Sequence, residues 1–141
     1  MNNTYGVGNG IRIVIADDER DTVMTLGILL RSEGFEVHLV QTGADVARVV
    51  AGTRPHAVLL DIGMPDCSGH DVASELQRTY GARCPVLIAV TGRVSDADRK
   101  RAESSGFEHY IPKPYDPTEL LNLLASMSTA SVAGLRDAPA R

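Results

Sequence analysis

The chain is short of cysteine, of long apolar runs and of surplus positive charge. Its two cysteines, Cys67 and Cys84, share no metal-ligand spacing with each other or with the four histidines. No apolar run approaches the roughly 18 residues needed to cross a bilayer, and the first residues lack the basic and apolar regions of a signal peptide. The net charge of -4 gives no electrostatic reason to expect nucleic-acid binding. We therefore expect a cytoplasmic protein with reduced thiols, without membrane insertion or direct nucleic-acid contact.

The composition suits one globular domain. The sequence has 141 residues, of which 43% are hydrophobic and 23% charged, so that a real core can form. Periodic patterns place the domain at residues 11–127. We expect residues 1–10 to be a flexible N-terminal segment, and residues 128–141, which are mostly small and lack periodicity, to be a tail or linker stub.

Short apolar runs alternate with helical patterns along residues 11–127. The predicted strands are residues 11–16, 36–40, 57–60, 86–90 and 109–111. Apolar residues at helical spacing follow each strand and predict five helices. This alternation predicts an α/β protein with a parallel sheet covered by helices on both faces. The flavodoxin-like (βα)5 doubly wound fold, with strand order 2-1-3-4-5, is the natural solution for five strands.

The fourth predicted helix, residues 95–105, has the weakest apolar pattern. Only Ala97 and Ala102 are available for apolar contact there, although Ser95 with Asp98 three residues later predicts a capping box. We interpret the basic run at residues 99–101 as a solvated face. Weakly anchored elements move at low cost in free energy, so this helix is expected to be a mobile part of the domain.

Polar side chains follow four of the five predicted strands. Asp17 and Asp18 follow the first strand, Asp61 the third and Thr91 the fourth, and Lys113 lies two residues beyond the fifth. Each has an ordinary explanation taken alone; acidic residues, for example, commonly cap helices. In a parallel sheet, however, the carboxyl ends of the strands share one edge, where these side chains would converge.

Converging carboxylates predict a metal site with phosphoryl chemistry. Three such groups cannot all remain ionised without compensation, and oxygen ligands with some waters suit Mg²⁺. A carboxylate that attacks phosphorus also needs its charge screened, which a metal and an ammonium group can do. Asp61 is the best nucleophile because it stands alone on the central strand, and Lys113 supplies the fixed cation.

The segments VIADDE, LLDIGMP, VTG and IPKP, in this order, resemble the receiver domains of two-component response regulators. The resemblance covers residues 11–127. It implies phosphoryl transfer to Asp61 from a histidine kinase, a histidine phosphotransfer domain or a small phosphodonor. It also implies Mg²⁺, or alternatively Mn²⁺, held by Asp17, Asp18, Asp61 and the backbone carbonyl of Gly63. The bond between Lys113 and Pro114 is expected to be cis.

The resemblance further implies a switch. The Thr91 hydroxyl would bond the phosphoryl group and Tyr110 would turn inward behind it, so that the surface of helix 4, strand 5 and helix 5 changes. Gly63 and Arg93 occupy positions that tune the lifetime of the phosphoryl group. Such a domain modifies its own aspartate and is not a turnover enzyme.

Several alternatives remain open from the sequence. An aspartyl-nucleophile phosphatase on a similar sheet would usually carry a general acid two residues beyond the nucleophile, where this chain has Gly63. A receiver that only docks partners would have lost an acid or the lysine. The domain could be a stand-alone receiver or the receiver of a hybrid histidine kinase. The sequence does not identify the kinase, the stimulus, the downstream protein or the oligomeric state.

Overall fold

The computed structural model describes residues 8, 10–92 and 95–127, so nearly all of the predicted N-terminal segment and the whole tail lie outside the described residues. The strands are β1 (Arg12–Ala16), β2 (Glu36–Val40), β3 (Ala57–Asp61), β4 (Val86–Thr91) and β5 (His109–Pro112). The main helices are α1 (Arg20–Ser32), α2 (Val46–Thr53), α3 (Gly69–Tyr80), α4 (Asp96–Ser104) and α5 (Pro117–Ser126). Single turns of 3-10 helix, Gly43–Asp45 and Gly81–Arg83, precede α2 and follow α3.

All neighbouring strands are parallel, and their order is β2-β1-β3-β4-β5, which confirms the predicted topology. Every residue of β3 and β4 is buried, as expected for strands covered by helices on both faces. Strand β5 lies at the edge and includes Pro112, whose missing amide donor is tolerated there. No helix within the described ranges is both long and apolar enough to span a bilayer.

Each face of the sheet has its own apolar core, because successive side chains of a strand point to opposite faces. On the face covered by α1 and α5, the core includes Ile13, Ile15, Val23, Leu26, Leu30, Leu59, Ile88, Leu120 and Leu124. On the face covered by α2, α3 and α4, it includes Val14, Val46, Val50, Val58, Leu60, Val72, Leu76, Leu87, Ala89, Ala102 and Phe107. The two cores hold the strand ends in fixed register, which positions the polar residues that follow them.

Differences from the sequence predictions are small except in α4. Strands β3, β4 and β5 each extend one residue beyond the predicted end, to Asp61, Thr91 and Pro112. In α4 the side chain of Ser95 accepts a hydrogen bond from the amide of Asp98, at 3.0 Å, so the predicted cap is present. The predicted apolar contact of Ala97 is wrong, because Ala97 is exposed. Within the described helix, Ala102 is the one buried residue, so α4 is anchored even less than expected.

Candidate functional site

Three aspartates meet at the carboxyl edge of the sheet. Asp17 follows β1 directly, Asp18 is the next residue, and Asp61 is the last residue of β3, which pairs with β1. One oxygen from each carboxylate lies within 4.8 Å of the others. Asp17 and Asp61 are 4% and 7% exposed, whereas Asp18 is open to solvent. The predicted convergence is therefore present, with two buried carboxylates and one accessible one.

Lys113 provides the counter-charge from the far side of the site. Its Nζ lies 2.9 Å from Asp17 Oδ2 and 3.3 Å from Asp61 Oδ2. The Lys113 amide also donates to the carbonyl of Thr91 at 2.7 Å, which ties the ends of β4 and β5 together. The peptide bond between Lys113 and Pro114 is cis, as predicted. The amine thus bridges carboxylates from two neighbouring strands.

Both buried carboxylates are oriented in the same way. Oδ1 of Asp17 accepts a hydrogen bond from the amide of Glu19 and Oδ1 of Asp61 accepts one from the amide of Gly63, each at 2.9 Å. Their Oδ2 atoms face Lys113. Each carboxylate therefore has one oxygen fixed by the backbone of its own loop and the other directed at the shared cation, which leaves little rotational freedom for either group.

Burial and neighbouring charges shift the acid–base properties of the site. Burial is the main cause that raises the pKa of Asp61, and the charge of Asp17 raises it further. The hydrogen bond from the Gly63 amide and the charge of Lys113 lower the pKa, but the net effect is a raised pKa. Burial alone would lower the pKa of Lys113, but its hydrogen bond to Asp17 and the charges of Asp17 and Asp61 outweigh that effect, so the pKa is raised. Lys113 accordingly stays protonated, whereas the anionic form of Asp61 is destabilised relative to a carboxylate in water.

The carboxylates fit a divalent cation. A carboxylate whose anionic form is disfavoured by burial and by a second carboxylate gains from an added positive charge. Asp18 offers an exposed oxygen donor beside the two buried ones, so a bound ion would be able to keep waters, as Mg²⁺ prefers. Gly63, whose carbonyl was predicted as a further ligand, is exposed and follows Asp61 by two residues.

The strand register and the loop after β3 place three of the remaining predicted site residues. Thr91 is buried at the end of β4, one residue beyond the partner of Asp61 in the strand register. Tyr110 lies on β5 opposite Ala89, partly buried against the core beneath α4. Arg93, the second predicted lifetime-tuning position, lies outside the described residues, so its placement stays a prediction. At Gly63 an added Cβ would stand 3.7 Å from Asp61 Oδ1, which places that position beside the carboxylate.

The sequence reasoning missed two residues of the site. Glu19, the N-cap of α1, places Oε1 3.4 Å from Lys113 Nζ. Tyr115 lines a small cavity together with Asp17 and Asp61. Burial raises the pKa of the Tyr115 hydroxyl, and the charges of Asp17 and Glu19 raise it further. The only signals were positional: Glu19 completes the acidic run after β1, and Tyr115 lies two residues beyond Lys113.

Comparison with known proteins identifies the architecture around this site. The family model for the response regulator receiver domain matches residues 13–125. The chain belongs to this receiver domain family. Response regulator MprA from Mycobacterium sp. (strain KMS) is 36% identical over 111 residues, which make up 79% of this chain and 47% of the relative. The receiver domain thus spans about half the length of the curated relatives it matches.

Solved structures agree with that assignment. A CheY-like response regulator receiver domain protein from Methanospirillum hungatei JF-1 superposes with a TM-score of 0.77 at 26% identity, over 83% of this chain and 92% of the other. The BeF3-activated N-terminal receiver domain of Klebsiella pneumoniae RstA gives a TM-score of 0.73 at 25% identity, over 80% and 94%. The predicted family and the flavodoxin-like fold are therefore confirmed.

Proposed function

We propose that this receiver domain accepts a phosphoryl group on Asp61, with Mg²⁺ bound beside it, and thereby switches the surface formed by α4, β5 and α5. The observation that carries the proposal is the arrangement of Asp17 and Asp61 around Lys113, with the exposed Asp18 next to them. The donor would be a histidine kinase, a histidine phosphotransfer domain or a small phosphodonor.

In the transfer step, an Asp61 carboxylate oxygen forms a bond to phosphorus while the bond from phosphorus to the donor nitrogen breaks. The leaving imidazole keeps the electron pair of that bond. The Gly63 amide holds one Asp61 oxygen in place, and Lys113 lies where it would contact the incoming phosphoryl oxygens. Bound Mg²⁺, held by Asp17, Asp18, Asp61 and the Gly63 carbonyl, would screen the charge between the carboxylates and the phosphoryl group.

Asp61 then changes from a singly charged carboxylate to a group with more negative charge and more acceptor oxygens. The Thr91 hydroxyl, at the end of the adjacent strand, would donate to one of these oxygens. Tyr110 would follow by turning towards the space behind Thr91, and α4, with its single buried side chain, would adjust to it. The domain would act as a self-modifying switch and not as a turnover enzyme.

The donor would approach over α1. The exposed large apolar side chains in the described part of the chain, Met24 and Ile28, are both on this helix, at 45% and 66% exposure. A groove beside the helix is lined by Thr22, Leu29, Lys113 and Tyr115, so that it opens next to the cation of the site. A partly apolar groove that opens beside a charged site, on a helix that also exposes two large apolar side chains, suits a protein partner that delivers the phosphoryl group.

The wider context is part of the proposal. The curated relatives are about twice as long as the matched region. Three arrangements are therefore considered: a stand-alone receiver, the receiver of a hybrid histidine kinase, and a receiver linked to a further domain. An aspartyl phosphatase is disfavoured because Gly63 stands where its general acid would be, and no carboxylate can project from that position.

The test is intact-mass measurement after incubation with acetyl phosphate, with Mg²⁺ or with a chelator. The wild-type domain should gain one phosphoryl group, labile to hydroxylamine, only when Mg²⁺ is present. Asp61→Asn should gain none, because an amide is not a nucleophile, whereas Asp71→Asn, the same change at an exposed aspartate of α3, should behave like the wild type. Labelling of Asp61→Asn at the wild-type rate would overturn the proposal.

A further inference from the structure

A charged side chain of α4 covers the aromatic ring of β5. The guanidinium carbon of Arg99 lies 4.8 Å from the centroid of the Tyr110 ring. Arg99 is exposed, and Tyr110 is partly buried. A guanidinium at this distance over an aromatic face is attracted by the negative charge of the ring face. Residues 99–101 are all exposed, as predicted for a solvated face, and Arg99 in addition contacts the Tyr110 ring.

The strand register places Tyr110 close to Thr91 on the neighbouring strand. Tyr110 pairs with Ala89, and Thr91 follows Ala89 by two residues on the same strand. Because side chains alternate along a strand, Ala89, Thr91 and Tyr110 share one face of the sheet. On this face Ala89, directly opposite Tyr110, presents only a methyl group, and Pro112 lies opposite Thr91. Tyr110 therefore has a small neighbour on β4 beside Thr91.

Helix α4 has few other anchors on this side. Ala102 is the one buried residue of the described helix, and Arg99 lies one turn before it on the same face. At the carboxyl end, Ser105 Oγ lies 3.1 Å from His70 Nδ1 of α3. The contact between Arg99 and Tyr110 therefore connects the amino-terminal half of α4 to the edge strand.

We infer that Arg99 is a positioning residue that, by stacking on Tyr110, holds the ring against α4 and so favours the unphosphorylated arrangement of α4 and β5. This inference rests on the proposed function, because it assigns Arg99 a role in the switch of that site. If the ring must leave the guanidinium to move inward, loss of Arg99 shifts the equilibrium towards the arrangement that phosphorylation favours. An exposed contact of this kind corresponds to a change of about two- to fivefold in that equilibrium.

The experiment compares Arg99→Gln with Lys100→Gln, which removes the same charge from the next exposed residue. The first readout is the rate of phosphoryl gain from acetyl phosphate with Mg²⁺. The second is ¹⁹F NMR of the unphosphorylated protein labelled with fluorotyrosine, where the four tyrosines give four signals and Tyr110→Phe assigns the relevant one. Arg99→Gln should react about two- to fivefold faster and move the Tyr110 signal towards its position in the BeF3-treated wild type. Lys100→Gln should do neither.

Two further variants separate positioning from general effects. Arg99→Lys keeps the charge and should restore part of the wild-type rate and signal position. In a Tyr110→Ala background, Arg99→Gln should no longer change the rate, because the coupling between the two residues is lost. Equal effects of Arg99→Gln and Lys100→Gln, or an undiminished effect without the Tyr110 ring, would overturn the inference. If the wild type gained no phosphoryl group, the proposed function would fail, but the NMR signal would still decide whether Arg99 positions the ring.

Discussion

Lys113 and Asp17 form the shortest ion pair at the carboxyl edge of the described sheet, with 2.9 Å between Nζ and Oδ2. Their side chains are 20% and 6% exposed, so the pair is largely withdrawn from water. The same amine reaches Asp61 at 3.3 Å. Removal of the amine would leave two buried carboxylates close together without a neighbouring positive charge, and buried charges without a partner destabilise the fold.

Lys113→Ala should therefore lower the free energy of unfolding in metal-free buffer by about 1 to 3 kcal/mol. Added Mg²⁺ should recover part of this loss, because the uncompensated carboxylates bind a cation more tightly, and phosphorylation should slow. Urea denaturation with and without Mg²⁺ measures both effects. Lys100→Ala, on the exposed face of α4, is the control. Equal stability of the Lys113 variant and the wild type without metal would show that the amine is not needed for charge balance.

Asp61→Asn should have the opposite effect on stability. Since burial and Asp17 raise the pKa of Asp61, the folded state holds this proton more tightly than the unfolded chain does. The protonated Asp61 carboxyl therefore stabilises the fold. This contribution is complete below the unfolded pKa of about 3.9 and is lost as the pH rises through the raised pKa of Asp61 in the folded state. At neutral pH without metal, the neutral amide should stabilise the fold by less than about 1 kcal/mol. A destabilised Asp61→Asn protein would contradict this.

His70 should make part of the stability dependent on pH. Burial lowers the pKa of this imidazole, and Arg101 of α4 lowers it further, while Asp71 and Asp98 act in the opposite direction. The unfolded chain therefore binds the proton more tightly. The neutral His70 of the folded state contributes stability that is complete above the unfolded pKa of about 6.5. This contribution is lost as the pH falls through the lowered pKa of His70 in the folded state.

His70→Leu should flatten the fall in unfolding free energy on acidification from about pH 7 to pH 5. Urea denaturation at several pH values gives this slope independently of any constant loss from the missing contact with Ser105. Val72→Ala, two residues further along α3, removes no titrating group and should leave the slope as in the wild type. A wild-type slope in His70→Leu would remove His70 as its source.

The packing between the β2–α2 and β3–α3 loops predicts a compensating pair of substitutions. A Cβ at Gly43 would collide with Cys67 Sγ. Gly43→Ala should therefore cost about 1 to 3 kcal/mol, as overpacked sites do. Cys67→Ala removes the sulfur, so the double variant should be more stable than the sum of the two single changes predicts. Thermal unfolding of the four proteins closes the cycle, and strictly additive effects would exclude the collision.

The sequence predicted the strands and the main site because both depend on local pattern. Apolar runs mark buried strands, and the residues that follow them, such as Asp61 and Lys113, must share an edge once the strands are parallel. The cap at Ser95 was predictable for the same reason, since a capping box lies within four residues of chain.

What the sequence did not predict depends on contacts between distant elements. Ala97 fits a helical pattern equally well whether it faces the sheet or water, and only the packing of α4 decides that it is exposed. The sequence placed Arg99 on an exposed charged face, which is correct, but only the tertiary structure shows that it also covers the Tyr110 ring. Glu19 and Tyr115 belong to the site through side-chain reach, which spacing along the chain does not encode.

The position of β5 at the rim has a consequence for how a signal could leave the domain. Asp61 belongs to β3, which has a neighbour on each side and is buried throughout, so the proposed chemistry would occur on a strand that is packed on all sides. Tyr110 belongs to a strand with one neighbour only, beside a helix with a single buried side chain. A reaction that leaves the centre of the protein unmoved can therefore still reshape its border, because there the restoring forces are weakest.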